Sequence, residues 1–261
     1  MPISTTYTSR ELTCERDGLT IYGQLILPAD ADEATPLPTL VCAHGFGGNY
    51  LKCLPYAWAM AEAGWAAYCF DFCGGGYAVR SKGNPLDMTP DTERDDLAAV
   101  IAELSNKPFV DTSCLCLLGE GQGGLVATLF AREEPDAPQA MALIHPTFNL
   151  QEQMRRTFPT KKNIPASFRH AGMRVGRQFG EVLFDTNAYQ MMPGYAGDVL
   201  IVSGTDDTSV PKESLTRAVD AFPAAELSLI PGGRHVLTGP TQERAIELVR
   251  DFFEGVRAKV S

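Results

Sequence analysis

Short apolar runs are spaced along the whole chain, and their patterns predict strands. RELTCE, a turn at 16–18 and LTIYGQLILP with alternating apolar positions predict an N-terminal β-hairpin. The later runs are continuously apolar, as in strands that a parallel sheet buries on both faces. These runs are PLPTLVCAHG, WAAYCFDF, SCLCLLG, QAMALIHP, DVLIVSG and ELSLIPGG.

Segments with helical periodicity lie between these runs. Leu54 to Gly64 predicts a helix that ends at a glycine. TERDDLAAVIAEL has acidic residues in its first turn, where the helix dipole favours them. Two further helices are predicted, over QGGLVATLFAREE and TQERAIELVRDFFEGV. The alternation predicts one α/β domain over residues 1–261, with a mostly parallel sheet of eight strands and helices on both faces.

The interval 147–197 is the one irregular part of this pattern. It separates two strands by about fifty residues, roughly ten times an ordinary connection. It is rich in Arg, Phe, Tyr and Met, as in MRRTFPTKKN and YQMMPGY, and this content disfavours disorder. We expect 147–197 to be a lid inserted in the domain, above a binding site.

Composition narrows the possible partners. The chain has 261 residues, a formal net charge of -10 and no basic run, so we expect neither nucleic acid nor an anionic membrane as partner. No signal pattern or membrane-spanning run is evident. The seven cysteines lie in apolar segments and predict buried free thiols in a cytoplasmic protein. No cluster of metal ligands is present, so we expect no metal and no cofactor.

The stretch LCLLGEGQGGLVATLFA, residues 115–131, fits two motifs. Gly119, Gly121 and Gly124 satisfy the dinucleotide-binding pattern G-x-G-x-x-G. The same stretch fits the nucleophile elbow G-x-S-x-G of hydrolases, except that Gly121 stands at the serine position. The dinucleotide motif requires an acidic residue at the end of the next strand, but that strand ends at His145 and Pro146. We therefore favour the elbow.

An elbow requires an acid and then a histidine after later strands, and both are present. Asp206 and Asp207 follow DVLIVSG, and His235 follows ELSLIPGG. Because the carboxyl ends of parallel strands meet at one edge of the sheet, these side chains should converge there. Either aspartate could be the partner of His235. The alternative to a catalytic role is that His235 is an ordinary surface histidine.

A glycine-rich turn, HGFGGN at 44–49, follows an earlier strand and can point a backbone N–H at the same place. An oxyanion hole needs two such donors, and the amides of Phe46 and Gln122 would supply them. We expect His44 to brace this turn, and His145 and His170 to be satisfied or solvent-facing. The triple glycine at 74–76 predicts a tight loop after the fourth strand.

Five motifs, HGFGGN, FDFCGGG, GEGQGG, GTDDTSVP and GGRH, occur in the order and spacing of the α/β-hydrolase superfamily. Within it the chain resembles the bacterial cinnamoyl/feruloyl-esterase-like and dienelactone-hydrolase-like serine hydrolases. The resemblance implies a catalytic triad whose nucleophile position is Gly121, with Asp207 as the acid and His235 as the base. It also implies a lid after the sixth strand, a small-molecule acyl substrate such as an aromatic ester, and the possibility of a homodimer.

Gly121 is the departure from this pattern, because glycine has no side chain with which to form an acyl-enzyme. We expect the serine-bearing form to hydrolyse carboxylic esters and the Gly121 form to be inactive or strongly impaired. Three accounts of Gly121 remain open: an engineered Ser→Gly change, a natural ligand-binding relative without catalysis, or a hydrolase whose His235 activates a water. Amides, lactones and thioesters remain alternative substrates.

Overall fold

The computed structural model of the protein describes residues 6–32 and 34–260, and its centre is an eight-stranded sheet in the order β1-β2-β4-β3-β5-β6-β9-β10. β1 and β2 are antiparallel, as are β2 and β4, and the remaining neighbours are parallel. The strands are β1 (Tyr7–Arg16), β2 (Leu19–Pro28), β3 (Leu37–Ala43), β4 (Ala66–Phe70), β5 (Val110–Glu120), β6 (Ala140–Ile144), β7 (Ser167–His170), β8 (Met173–Gly176), β9 (Asp198–Gly204) and β10 (Ala225–Ile230).

Seven α-helices lie between or after the strands within the described residues. They are α1 (Leu54–Glu62), α2 (Pro90–Ser105), α3 (Gln122–Glu133), α4 (Leu150–Thr157), α5 (Arg177–Asp185), α6 (Lys212–Ala221) and α7 (Pro240–Val260). This is the α/β-hydrolase fold that the motifs predict. α2 begins two residues before its predicted start, because the Thr89 hydroxyl accepts a hydrogen bond from the Thr92 amide and Pro90 suits the first helical position.

Successive residues of the buried strands face opposite sides of the sheet and enter two separate cores. In β3, Val41 packs in the core that contains α2 and α3, whereas Leu40 and Cys42 pack in the core that contains α1 and α7. Continuous apolar runs are therefore needed, since both faces are covered. The seven cysteines are all buried free thiols, as the sequence predicts: Cys14, Cys42, Cys53, Cys69, Cys73, Cys114 and Cys116.

The segment 147–197 lies between β6 and β9 and has its own secondary structure. It contains α4, α5, several single-turn helices and the antiparallel pair β7 and β8. This hairpin is not predicted by the sequence pattern, because its strands are only four residues long and do not alternate cleanly between buried and exposed positions. Its turn is formed by Ala171 and Gly172, both at positive φ. None of the helices in the described part of the chain is long and apolar enough to cross a membrane.

Candidate active site

Gly121 occupies a sharp turn between β5 and α3, with φ 53° and ψ -115°. Its amide donates to the Ile144 carbonyl at 2.9 Å, which fixes the turn against β6. A Cβ added at Gly121 would meet only the Gly45 Cα, at 3.6 Å, so there is room for a side chain. The positive φ, by contrast, is a conformation that costs a non-glycine residue energy.

Neighbouring glycines allow α3 to start close to the sheet. A Cβ at Gly119 would lie 2.6 Å from the Gly124 Cα, and one at Gly123 would lie 2.3 Å from the Ala43 carbonyl oxygen. These contacts are too close for any other residue, so Gly119 and Gly123 serve backbone packing. As a result, the N-terminus of α3, with its unpaired amides and positive dipole end, lies at the carboxyl edge of the sheet.

Asp207 and His235 form a hydrogen-bonded pair at the same edge. His235 Nδ1 lies 3.0 Å from Asp207 Oδ2, and the Asp207 side chain is almost completely buried. Asp207 Oδ1 accepts from the amides of Ser209, at 2.7 Å, and Val210, at 3.1 Å. Burial alone would raise the pKa of Asp207, but the hydrogen bond with His235 and these two amides lower it below its usual range. The carboxylate is thus held ionised against the imidazole.

Asp206 has different contacts. Its carboxylate accepts from the Thr205 hydroxyl at 2.9 Å, and its amide donates to the Gly233 carbonyl at 2.8 Å. The structure therefore brings Asp207, and not Asp206, to His235. Asp206 joins the loop after β9 to the loop after β10, which positions the segment that carries His235.

The two backbone donors expected from the sequence are Phe46, in the turn after β3, and Gln122, the first residue of α3 after β5. Within residues 6–32 and 34–260, no protein group accepts a hydrogen bond from either amide. His44 braces the turn that carries Phe46: its Nδ1 donates to the Gly45 carbonyl at 2.8 Å, and its Nε2 accepts from the Phe72 amide at 3.2 Å. Burial lowers the pKa of His44, which favours this neutral form.

The triple glycine at 74–76 forms the tight loop predicted after β4 and packs on the turn that carries Phe46. The Gly47 amide donates to the Gly75 carbonyl at 3.1 Å, and the Tyr77 amide donates to the Gly47 carbonyl at 3.2 Å. A Cβ at Gly76 would lie 1.7 Å from the Gly48 carbonyl oxygen. Only glycine allows the two loops to approach this closely.

A buried carboxyl group, Glu93 of α2, contacts the side chain of Gln122. Glu93 Oε2 accepts from Gln122 Nε2 at 2.6 Å, and both side chains are buried. Burial raises the pKa of Glu93 to about 8, in spite of the hydrogen bond from Gln122. The nearby Asp96 carboxylate adds to this increase, although Arg16 pairs with Asp96 at 2.5 Å. Glu93 is therefore mainly neutral at pH 7.

We predict that Glu93 makes the free energy of unfolding depend on pH. The pKa of Glu93 is about 8 in the folded state and 4.5 in the unfolded state. Its contribution to stability is therefore complete below pH 4.5 and is lost as the pH rises to about 8. The expected loss is about 1.4 kcal/mol per pH unit within that window. Urea unfolding of the parent and Glu93→Gln from pH 4 to pH 9 should show a flatter profile for the variant. Glu134→Gln, at an exposed carboxyl, is the control; equal slopes for parent and Glu93→Gln would contradict the prediction.

The candidate site residues surround a cavity of about 990 Å³. Its wall includes Gly121, Phe46, Gln122 and His235. The segment 147–197 supplies a large part of the same wall. His170 packs its ring 4.9 Å from that of Phe46, so β7 contacts the turn that carries one of the backbone donors. The other lining residues from this segment include Leu150, Gln153, Arg156, Ala171 and Tyr189.

Two further residues of this wall, Glu120 and His145, were not selected from the sequence as site residues. The His145 ring lies 4.7 Å from that of His235, and its Nε2 is 3.5 Å from Glu120 Oε1. His145 is buried with φ 36° directly before Pro146, and its Nδ1 has no hydrogen-bond partner in the described residues. The expectation that His145 is satisfied is therefore wrong. Only its position at the end of a strand beside the elbow could have indicated its place in the site.

Within residues 6–32 and 34–260, no group of three or more His, Cys, Asp or Glu side chains is arranged to hold a metal ion. The chemically active groups at this edge of the sheet are the Asp207–His235 pair, the backbone amides of Phe46 and Gln122, and Glu120 beside His145. A carboxylate-oriented imidazole next to backbone donors is the arrangement used for acyl transfer, apart from the nucleophile.

Comparison with known proteins identifies the family. Residues 34–186, more than half of the chain, match the family model for serine aminopeptidase, S33. The chain belongs to this family of α/β-hydrolases. A search of curated protein sequences returned no match.

Solved structures with the same fold include Est1E from Butyrivibrio proteoclasticus with ferulic acid bound. That match has 25% sequence identity and a TM-score of 0.85, and covers 95% of this chain and 99% of Est1E. The alpha/beta hydrolase domain-containing protein 10 from mouse matches with 17% identity and a TM-score of 0.77, over 97% of this chain and all of the mouse chain. DcsB, in complex with its substrate analogue, matches with 20% identity and a TM-score of 0.75, over 95% of this chain and 99% of DcsB. The chain therefore has the fold of Est1E, the structure with ferulic acid bound.

Proposed function

We propose that this site is that of a serine-type carboxylic ester hydrolase in which position 121 lacks the nucleophile. The observation that carries the proposal is the Asp207–His235 pair, at 3.0 Å, because its histidine lines the same cavity as Gly121. An imidazole oriented by a buried carboxylate is the base that a hydroxyl nucleophile requires. The family model supports the serine nucleophile, because its description is that of a serine aminopeptidase.

In the serine-bearing form, each group has a defined role. The hydroxyl of a serine at position 121 attacks the ester carbonyl carbon while its proton passes to His235 Nε2, and Asp207 stabilises the imidazolium that results. The amides of Phe46 and Gln122 hold the oxyanion. The C–O bond of the ester then breaks, and the leaving alcohol takes the proton from His235. Water hydrolyses the acyl-enzyme by the same proton transfers in reverse order.

The Gly121 form cannot take the first of these steps, so it is strongly impaired. Direct attack by a water activated by His235 is the remaining route to hydrolysis. Such a water lacks the fixed position that a covalently attached hydroxyl has, and this positioning accounts for much of the rate in acyl transfer.

The segment 147–197 acts as a lid and contributes to substrate specificity. It supplies His170 and Tyr189 to the cavity wall that also includes Phe46, and these rings suit an aromatic acyl group. The Tyr189 hydroxyl is 2.7 Å from the Ser214 hydroxyl, and both residues line the cavity, so the wall is not wholly apolar. Est1E, which has ferulic acid bound in its structure, supports an aromatic acyl ester as the substrate class.

We expect Gly121→Ser to prefer aromatic acyl esters. A panel of methyl ferulate, methyl cinnamate, methyl butyrate and ferulic acid anilide would be compared at matched concentrations, by chromatography of the acid formed. The expected result is a kcat/KM for the two aryl esters at least about 10-fold above that for the butyrate, because an aromatic ring buries more apolar area. Equal values for all three esters would contradict the substrate class, and preference for the anilide would indicate an amidase.

A second candidate function is the non-covalent binding of carboxylic acids by the Gly121 form. The open space at Gly121 and the amides of Phe46 and Gln122, which have no protein acceptor in the described chain, favour it. The Gln122 amide lies at a helix N-terminus, which attracts anions. Saturable binding of ferulate by the parent, together with no turnover by Gly121→Ser, would favour this second function over the first.

A further inference from the structure

We propose that Glu93 is a positioning residue of the oxyanion hole, which holds the Phe46 and Gln122 amides in a fixed relation to each other. This inference rests on the proposed function of the two amides. Glu93 is on α2, outside both loops that carry the donors, and its side chain is 1% exposed. One of its carboxyl oxygens contacts the start of α3, and the other contacts the triple-glycine loop.

The first contact fixes the start of α3. Glu93 Oε2 accepts from Gln122 Nε2 at 2.6 Å, and Gln122 is the first residue of that helix. Gln122 Nε2 has no other hydrogen-bond acceptor in the described residues, and Gln122 Oε1 has no partner there. The contact with Glu93 is therefore the polar anchor of the Gln122 side chain. An anchored side chain restricts the direction in which the backbone amide of the same residue points.

The second contact leads to Phe46. Glu93 Oε1 packs so closely on the triple-glycine loop that a Cβ at Gly75 would lie 2.9 Å from it. The Gly75 carbonyl accepts from the Gly47 amide at 3.1 Å, and Gly47 directly follows Phe46. Glu93 thus lies between the start of α3 and the loop that supports the second donor. Loss of its carboxyl group would release both supports at once.

A purely space-filling residue at this place would be apolar, since burying a carboxyl group costs free energy. The raised pKa of Glu93 reflects that cost, and the neutral form of the acid still accepts a hydrogen bond. Retention of an acid here is explained by its polar contact with Gln122. The catalytic consequence is large, because removing one oxyanion donor costs on the order of 10² to 10³ in kcat.

The first test uses Glu93→Leu and Glu93→Gln in the Gly121→Ser protein. Leucine fills the space without a hydrogen-bond acceptor, whereas glutamine keeps an acceptor for Gln122. We expect Glu93→Leu to lower kcat by at least about 10-fold with little change in KM, because the oxyanion forms only in the transition state. Glu93→Gln should stay within about 3-fold of the parent kcat. Asp91→Leu, at a half-exposed carboxylate of the same helix, is the control and should have no such effect.

The second test uses the Gly121 chain and does not depend on turnover. Hydrogen–deuterium exchange of peptides over 44–49 and 119–125 should become faster in both segments in Glu93→Leu, and should remain at the parent rate in Glu93→Gln. If Glu93→Leu fails to fold, Gln122→Leu removes the same hydrogen bond from the other side and should give the same result. Faster exchange in only one segment, an unchanged kcat in Glu93→Leu, or equal losses in both Glu93 variants would overturn the inference. A Gly121→Ser protein without turnover would instead count against the proposed function.

Discussion

Gly121→Ser should raise kcat/KM for an aryl ester by at least about 10³-fold over the Gly121 chain, because the nucleophile and its base act as a unit. The other groups are already in place: Asp207 holds His235, and the amides of Phe46 and Gln122 have no protein acceptor in the described residues. A side chain at position 121 has room, since the nearest atom to an added Cβ is 3.6 Å away. The rate would be measured with one chromogenic aryl ester for both proteins.

The same substitution should lower the free energy of unfolding. A serine at φ 53° adopts a conformation that costs a non-glycine residue of order 1–3 kcal/mol. Gly121→Ala is the matched control, since it has the same strain and no hydroxyl. It should lose stability like Gly121→Ser and gain no activity. If Gly121→Ser folds and gains no turnover on a broad ester and amide panel, the ester-hydrolase proposal fails.

Replacing either His235 or Asp207 should remove most of the activity that Gly121→Ser gains. In the Gly121→Ser background, we expect His235→Ala to lower kcat by at least about 10³-fold, because serine without a base is a weak nucleophile. Asp207→Asn should lower kcat by about 10⁴-fold, since the asparagine no longer holds the imidazole in the required tautomer. Both would be measured with the same chromogenic ester.

Asp206→Asn provides the matched control for Asp207→Asn. The Asp206 carboxylate contacts Thr205 and not His235. We expect this variant to retain kcat within about 3-fold, as a loop residue without contact to the reacting atoms. The opposite ranking of the two asparagine variants would show that the acid is Asp206.

The fold followed from the sequence because its strands are buried on both faces. Residues such as Leu40 and Val41 enter opposite cores, so the continuous apolar runs and the helical segments between them were sufficient to predict the sheet. The loops after β5, β9 and β10 could be placed at one edge for the same reason. The hairpin of β7 and β8 could not be predicted, since four-residue strands carry little periodicity.

The choice between Asp206 and Asp207 could not be made from the sequence, because it depends on how one loop turns. The structure separates them through the amides of Ser209 and Val210, which bind Asp207. The role of Glu93 could also not be predicted from the sequence. In the sequence it is one of several acidic residues at the start of a helix, and only the packing of α2 on α3 buries it against Gln122.

The most direct test of the central claim is the intact mass of Gly121→Ser after incubation with a fluorophosphonate ester, followed by peptide mapping. A fluorophosphonate reacts preferentially with an activated serine hydroxyl and forms an adduct that mimics the tetrahedral intermediate, so efficient reaction requires the base and the oxyanion donors together. We predict one phosphonyl adduct on residue 121 in Gly121→Ser, none in the Gly121 chain, and little in Gly121→Ser with His235→Ala. An unmodified Gly121→Ser protein, or an adduct at another residue that the Gly121 chain acquires equally, would contradict the claim that only the hydroxyl is missing from this site.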